Sequence, residues 1–146
     1  MSASKKLSTS VKAICYLAES FPEPKSSKDI ADNIGGNASK LRQLLSLLAK
    51  NGIVNSLQGI KGGFVLSKNP KEIHLQEIYC SIEDRKAFHL DVNHSHGDSK
   101  DRTTLFNDYF LDLFADVQVE IEDKMKLISM QSIIDNMQID SKYTEK

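Results

Sequence analysis

Along most of the chain the apolar residues recur at helical spacing. Leu7, Val11, Ile14, Ala18 and Phe21 form one such stripe, Ser8 is available as a cap, and Phe21-Pro22-Glu23-Pro24 is a stop. That predicts a first helix over 8–21. Ser26 and Asp29 give an S-x-x-D start to a short second helix, with Ile30, Ala31 and Ile34 as its inner face. Gly35-Gly36-Asn37 interrupts it, and Asn37 is a suitable N-cap for the next segment. From Ala38 to Asn51 the inner side carries Leu41, Leu44, Leu45, Leu47 and Leu48, and Gly52 suits the helix end. A short helix, a tight turn and a second amphipathic helix make a helix-turn-helix pattern.

The period then changes. Residues 53–58 and 64–67 are short strand candidates separated by Gly59-Ile60-Lys61-Gly62-Gly63, so a β-hairpin follows the helix-turn-helix directly, in the position of a wing. Residues 75–83 return to helical spacing through Leu75, Ile78, Tyr79 and Ile82. Residues 84–102 are polar and loop-like. From Thr103 to about Met130 a long stripe contains Phe106, Phe110, Leu113, Phe114, Val117, Ile121, Met125 and Ile128. A helix of that length, about 40 Å, cannot bury its stripe on a small head alone; a second copy of itself is the natural partner. The expected fold class is mainly α with a small β-hairpin wing. Residues 1–83 form a winged helix-turn-helix domain, 84–102 an exposed loop, 103–137 dimerisation helices and 138–146 a flexible tail.

Composition adds one point that the pattern does not. The 146 residues are 40% hydrophobic and 27% charged, with a net charge of −1, as in ordinary soluble proteins. Residues 1–71 hold eleven Lys/Arg and four Asp/Glu, a net of +7, whereas residues 72–146 have a net of −8. A basic half suits a polyanion and an acidic half repels one. There is no apolar run of membrane-spanning length and no signal-peptide pattern at the N-terminus, so the expected location is the cytoplasm. Two isolated cysteines, Cys15 and Cys80, exclude a CxxC zinc or redox motif. The GIKGGF stretch lacks the strand and helix of a dinucleotide site, and no catalytic constellation is present, so an enzyme is not expected.

The candidate chemistry is therefore DNA recognition. The outer face of the helix after Asn37 offers Ser39, Lys40, Arg42, Gln43 and Ser46, types that reach base edges and phosphates. The first turns of such a helix enter the major groove, which favours Asn37 through Gln43. Lys61 and Gly62 at the wing suit the minor groove or the phosphates. Lys5, Lys6, Ser27 and Lys28 lie at helix starts and suit phosphate clamping. Phe106, Phe110, Leu113, Val117, Ile121 and Ile128 are the candidate dimerisation residues.

These stretches also resemble a known family. Ser10 to Ala18, Ser27 to Ala31, Leu48-Ala49-Lys50-Asn51-Gly52-Ile53-Val54-Asn55-Ser56, Gly59-Ile60-Lys61-Gly62-Gly63-Phe64-Val65-Leu66 and Ile73 to Ile78 are similar to the Rrf-two family of winged-helix regulators, the family of IscR, NsrR and CymR. The resemblance implies a homodimer built on the long helix, a partly palindromic operator, the recognition helix in the major groove, the wing in the minor groove, and repression. Cluster-binding members carry three closely spaced cysteines between the short and long helices. Residues 84–102 contain none, which resembles the cluster-free branch, and no cofactor is expected.

The input signal stays open. His89, His94 and His96 are weak metal-ligand candidates against the plainer reading of a polar loop. Cys80 is a candidate thiol sensor, with Arg85 and Lys86 near in sequence, against the plainer reading of a structural thiol. Cys15 reads as a small buried hydrophobe. A small molecule between head and long helix, near Tyr79 and Phe88, is a further partner class. The rival to a DNA-binding regulator is a winged-helix protein-interaction module, and the basic head weighs against it.

Overall fold

The computed structural model describes residues 1–83 and 101–145. Its elements are α1 (Ala3–Ser20), α2 (Ser27–Ile34), α3 (Ala38–Lys50), β1 (Val54–Leu57), β2 (Gly63–Leu66), α4 (Leu75–Ile82), α5 (Arg102–Lys126) and α6 (Met130–Asn136). The two strands pair antiparallel, Val54 opposite Leu66 and Leu57 opposite Gly63. This is a mainly helical winged helix-turn-helix head followed by a long helix. Among the described residues no helix is long and apolar enough to cross a membrane.

Local chemistry explains the boundaries. The backbone N–H of Lys5 donates to Ser2 Oγ at 3.3 Å, so α1 begins five residues before the expected start. Ser8 is an ordinary interior residue, because Lys5-Lys6-Leu7 has nothing that opposes a helix. Ser26 and Asp29 form a reciprocal capping box on α2. Asn37 Oδ1 accepts from the Lys40 N–H at 3.0 Å and so caps α3. At the other end of α3, Gly52 N–H donates to the Ala49 carbonyl and Ile53 N–H to that of Leu48, the paired bonds of a Schellman stop.

One core joins all of this. Ile14, Leu17, Ile30, Leu45, Leu48, Ile53, Ile73 and Ile78 are buried with Met130 and Ile134 of α6. The segment before α6 is stitched to the head through its backbone: Leu75 N–H donates to Ile128 O at 2.8 Å, Met130 N–H to Ile73 O at 2.7 Å, and Gln131 N–H to Pro70 O at 3.0 Å. The expected grouping of α6 with the dimerisation element is thus replaced by membership of the head's core. The expected flexible tail is also corrected. Lys142 N–H donates to the Ala18 carbonyl at 2.9 Å, Tyr143 lies 4.7 Å from the Phe21 ring, and Ile139 packs on the core. The tail satisfies a carbonyl that the end of α1 leaves without a helical partner.

Ser10 carries a buried hydroxyl that finds no hydrogen-bond partner among the described residues. A desolvated, unpaired hydroxyl is costly, and alanine is the better helix former. Ser10→Ala is expected to raise unfolding stability by about 1 kcal/mol, read as a higher urea midpoint at unchanged slope; an unchanged or lower midpoint contradicts this.

Candidate nucleic-acid interface

The outer face of α3 is continuous. Ser39, Arg42, Gln43, Ser46, Leu47 and Lys50 line one open groove along it, while Leu41, Leu44, Leu45 and Leu48 face the core. Leu47 was expected inside with the other leucines. At 100° per residue it lies past the edge of their stripe, and it is 36% exposed. Lys50 and Leu47 are the two groove residues that sequence reasoning missed; a helical projection centred on Leu41, Leu45 and Leu48 identifies both.

Arg42 is held from behind. Its Nε donates to Ser27 Oγ at 3.3 Å, and Ser27 is only 2% exposed. Ser27, expected among the phosphate-clamping residues at helix starts, has its side chain turned inward, where it orients Arg42. The serine one residue earlier, Ser26, takes the N-cap, which rotates Ser27 onto the face of α2 that meets α3. Asn37 spends its side-chain oxygen on the cap. Lys5, Thr9, Asn37 and Lys40 come together around a cavity of about 190 Å³ between α1 and the α2–α3 turn. Lys5 and Lys40 thus flank the start of α3, where the helix dipole adds to their positive potential. Lys28 is exposed and pairs with Asp32 at 3.2 Å. Lys6 reaches Glu83 at 3.6 Å, a contact that ties α1 to the residue after α4.

The wing is bonded to the rest of the head at its root. Lys25 N–H donates to Phe64 O at 3.0 Å, and Phe64 N–H to Lys25 O at 2.8 Å. A Cβ on Gly63 would lie 2.5 Å from the Lys25 carbonyl carbon and oxygen, so glycine is what lets the two backbones approach. Lys61 and Gly62 sit at the far end, where Gly62 N–H closes the turn on Gly59 O at 3.0 Å.

The long helix has two different halves. Gln118 and Met125 are buried, and Gln118 Nε2 donates to the Tyr79 hydroxyl at 3.5 Å across the α4–α5 contact. Toward its start, Leu105, Phe106, Tyr109, Phe110 and Leu113 are 37–62% exposed. The Phe106, Phe110 and Phe114 rings stack in sequence at 6.2 and 5.7 Å. Val117, Ile121 and Ile128 are half-buried.

The chain matches the family described as Rrf2, iron-dependent transcriptional regulator, over residues 3–136. It belongs to the Rrf2 family. Members of this family are transcriptional regulators and not enzymes. A curated relative, the HTH-type transcriptional regulator IscR of Escherichia coli O1:K1 / APEC, is 33% identical over 76 residues, 52% of this chain and 46% of that protein. Matched segments span 34–46% of the curated relatives' length. The solved structure of T. potens IscR superposes with a TM-score of 0.66 at 25% identity, covering 94% of this chain and 88% of that one. CymR, the global cysteine regulator of B. subtilis, shares the fold, with a TM-score of 0.64 at 20% identity over 93% of this chain and 98% of that one.

The family description names iron, and this Rrf2 chain does not fit a thiolate-held cluster. Such clusters take mostly cysteine ligands, and this chain has two cysteines in all. Cys15 is buried in α1, and its thiol is pushed up to about 11, first by burial and then by the charge of Glu19. Cys80 is exposed on α4, accepts from Gln76 Nε2 at 3.1 Å, and shares a cleft with Lys6, Leu47 and Glu83. Among the described residues no group of three or more His, Cys, Asp or Glu could hold a metal ion. His89, His94 and His96 lie outside the described residues, as do Arg85, Lys86 and Phe88.

Proposed function

We propose that this Rrf2 regulator binds duplex DNA sequence-specifically as a homodimer, acts in the cytoplasm, and represses transcription from partly palindromic operators. The observation that carries the reading is the outer face of α3. It presents Ser39, Arg42, Gln43, Ser46 and Lys50 together, beside Lys5 and Lys40 at the helix start, in the half of the chain with a net charge of +7. Arg42 and Gln43 read base edges in the major groove. Lys5, Lys28, Lys40 and Lys50 meet phosphates, and Lys61 and Gly62 carry the wing to the minor groove. Lys6 joins them when the phosphate displaces its Glu83 contact. Repression follows the family resemblance.

The test is fluorescence-anisotropy binding to duplex DNA from upstream of the protein's own reading frame, beside a scrambled duplex, over a salt series. Selective, salt-sensitive binding is expected. Arg42→Ala should cost about 1–3 kcal/mol per half-site and relax selectivity at the base pair it reads. Weak binding equal on both duplexes, insensitive to Arg42→Ala, moves the protein-interaction reading to the front.

A further inference from the structure

At the tip of the wing Ile60 is fully exposed, at 106%. The other exposed large apolar side chains among residues 1–83 are Met1, Leu47 and Leu57, at 36–46%. A single exposed aliphatic side chain is ordinary on a protein surface, but the setting of this one is specific. Ile60 lies between Gly59 and Lys61, so an aliphatic group and a cation project from one turn. The turn is held closed by the Gly62 N–H on Gly59 O. The backbone at Gly62 lies so close to the Leu57 carbonyl that no side chain fits there. The root is held by the Lys25–Phe64 bond pair. Isoleucine, branched at Cβ, has few side-chain states to lose on contact. A braced hairpin thus carries a stiff apolar point beside its charge.

We propose that Ile60 is an apolar wedge that enters the minor groove beside Lys61 and makes the protein reject the guanine 2-amino group at the base pairs under the wing. The proposal rests on the DNA-binding reading above. The minor-groove floor of an A·T pair shows only acceptors, whereas a G·C pair adds the 2-amino group in mid-groove. The sugar walls are apolar and the groove is only about 6 Å wide, so an aliphatic side chain packs well where that amino group is absent. Other proteins push aliphatic wedges from the minor groove between base steps; Ile60 needs only to pack on the groove floor. Lys61 supplies charge at the same place, and Ile60 supplies shape.

The experiment uses the full chain to enrich a duplex from a randomised library, then replaces the A·T pairs under the wing by I·C or G·C. An I·C pair shows the major-groove edge of G·C but lacks the 2-amino group. Wild type should bind the I·C duplex about 10-fold more tightly than the G·C duplex. Ile60→Ser should bring that ratio near one and weaken overall binding by about 10-fold. It should leave the salt slope unchanged, because an apolar contact releases no counterions. Lys61→Ala should instead lower the slope by about 2 for a pair of wings and keep the I·C preference. Equal wild-type binding to I·C and G·C, or full preference retained in Ile60→Ser, overturns the wedge while the enriched duplex still upholds the DNA-binding reading. Failure to enrich any duplex overturns both.

Discussion

Phe110→Asp is expected to leave the protein a monomer at micromolar concentration and to lower its affinity for a two-half-site operator by at least about 100-fold. Phe110 stands between Phe106 and Phe114 in the stacked run on α5 and touches the Tyr109 ring at 5.6 Å. It is 38% exposed in the single chain. On pairing, a carboxylate there would be buried among phenyl rings without a partner, which costs more than the stripe gains at that point. Monomers then bind half-sites singly, and the advantage of linked sites is lost. Sedimentation should give the mass of one 16.4 kDa chain in place of two, with the circular dichroism of the head retained. A variant that still sediments as a dimer would show that the Phe110 stripe is not the contact.

The second large effect concerns the wing root. Gly63→Ala is expected to destabilise the fold by about 2–4 kcal/mol and to weaken operator binding through loss of wing placement. The added Cβ meets Lys25 backbone at 2.5 Å, and residue 63 has φ 143°, a conformation that L side chains avoid. Relief requires the hairpin to move off Lys25, which breaks both Lys25–Phe64 bonds and loosens Phe64, now 8% exposed. Amide exchange at Phe64 should accelerate more than at Leu45 in α3. Unchanged protection at Phe64 would show that the root adapts without opening.

The helix-turn-helix was legible because its signals are local. The Ser26–Asp29 box, the Asn37 cap, the leucine stripe and Gly52 each act within four residues of the boundary they set, and the structure realises each one. The start of α1 was misplaced because Ser2 and Ser8 satisfy the same capping rule, and only the absence of a breaker between them decides. The tail was misread for a different reason. Ile139 and Tyr143 are four residues apart with polar neighbours, a spacing that is weak in isolation, and their partners, Phe21 and the end of α1, lie more than a hundred residues earlier. The types of the interface residues were legible, and their support was not. Nothing near Ser27 in sequence says that its hydroxyl faces Arg42 fifteen residues later. Nor does Ile60, one aliphatic residue among glycines, announce from sequence that it is fully exposed.

Met130 and Ile134 are among the most deeply buried side chains of a head whose other members begin at α1. A ribosome making this chain releases α1 to α4 first and the residues that complete their core only after the long helix, a sequence in which N-terminal parts otherwise tend to fold ahead. The head therefore reaches its final stability only once α6 has been made. A chain cut short within the long helix would carry every residue of the α3 groove yet lack Met130 and Ile134, which complete the core behind it.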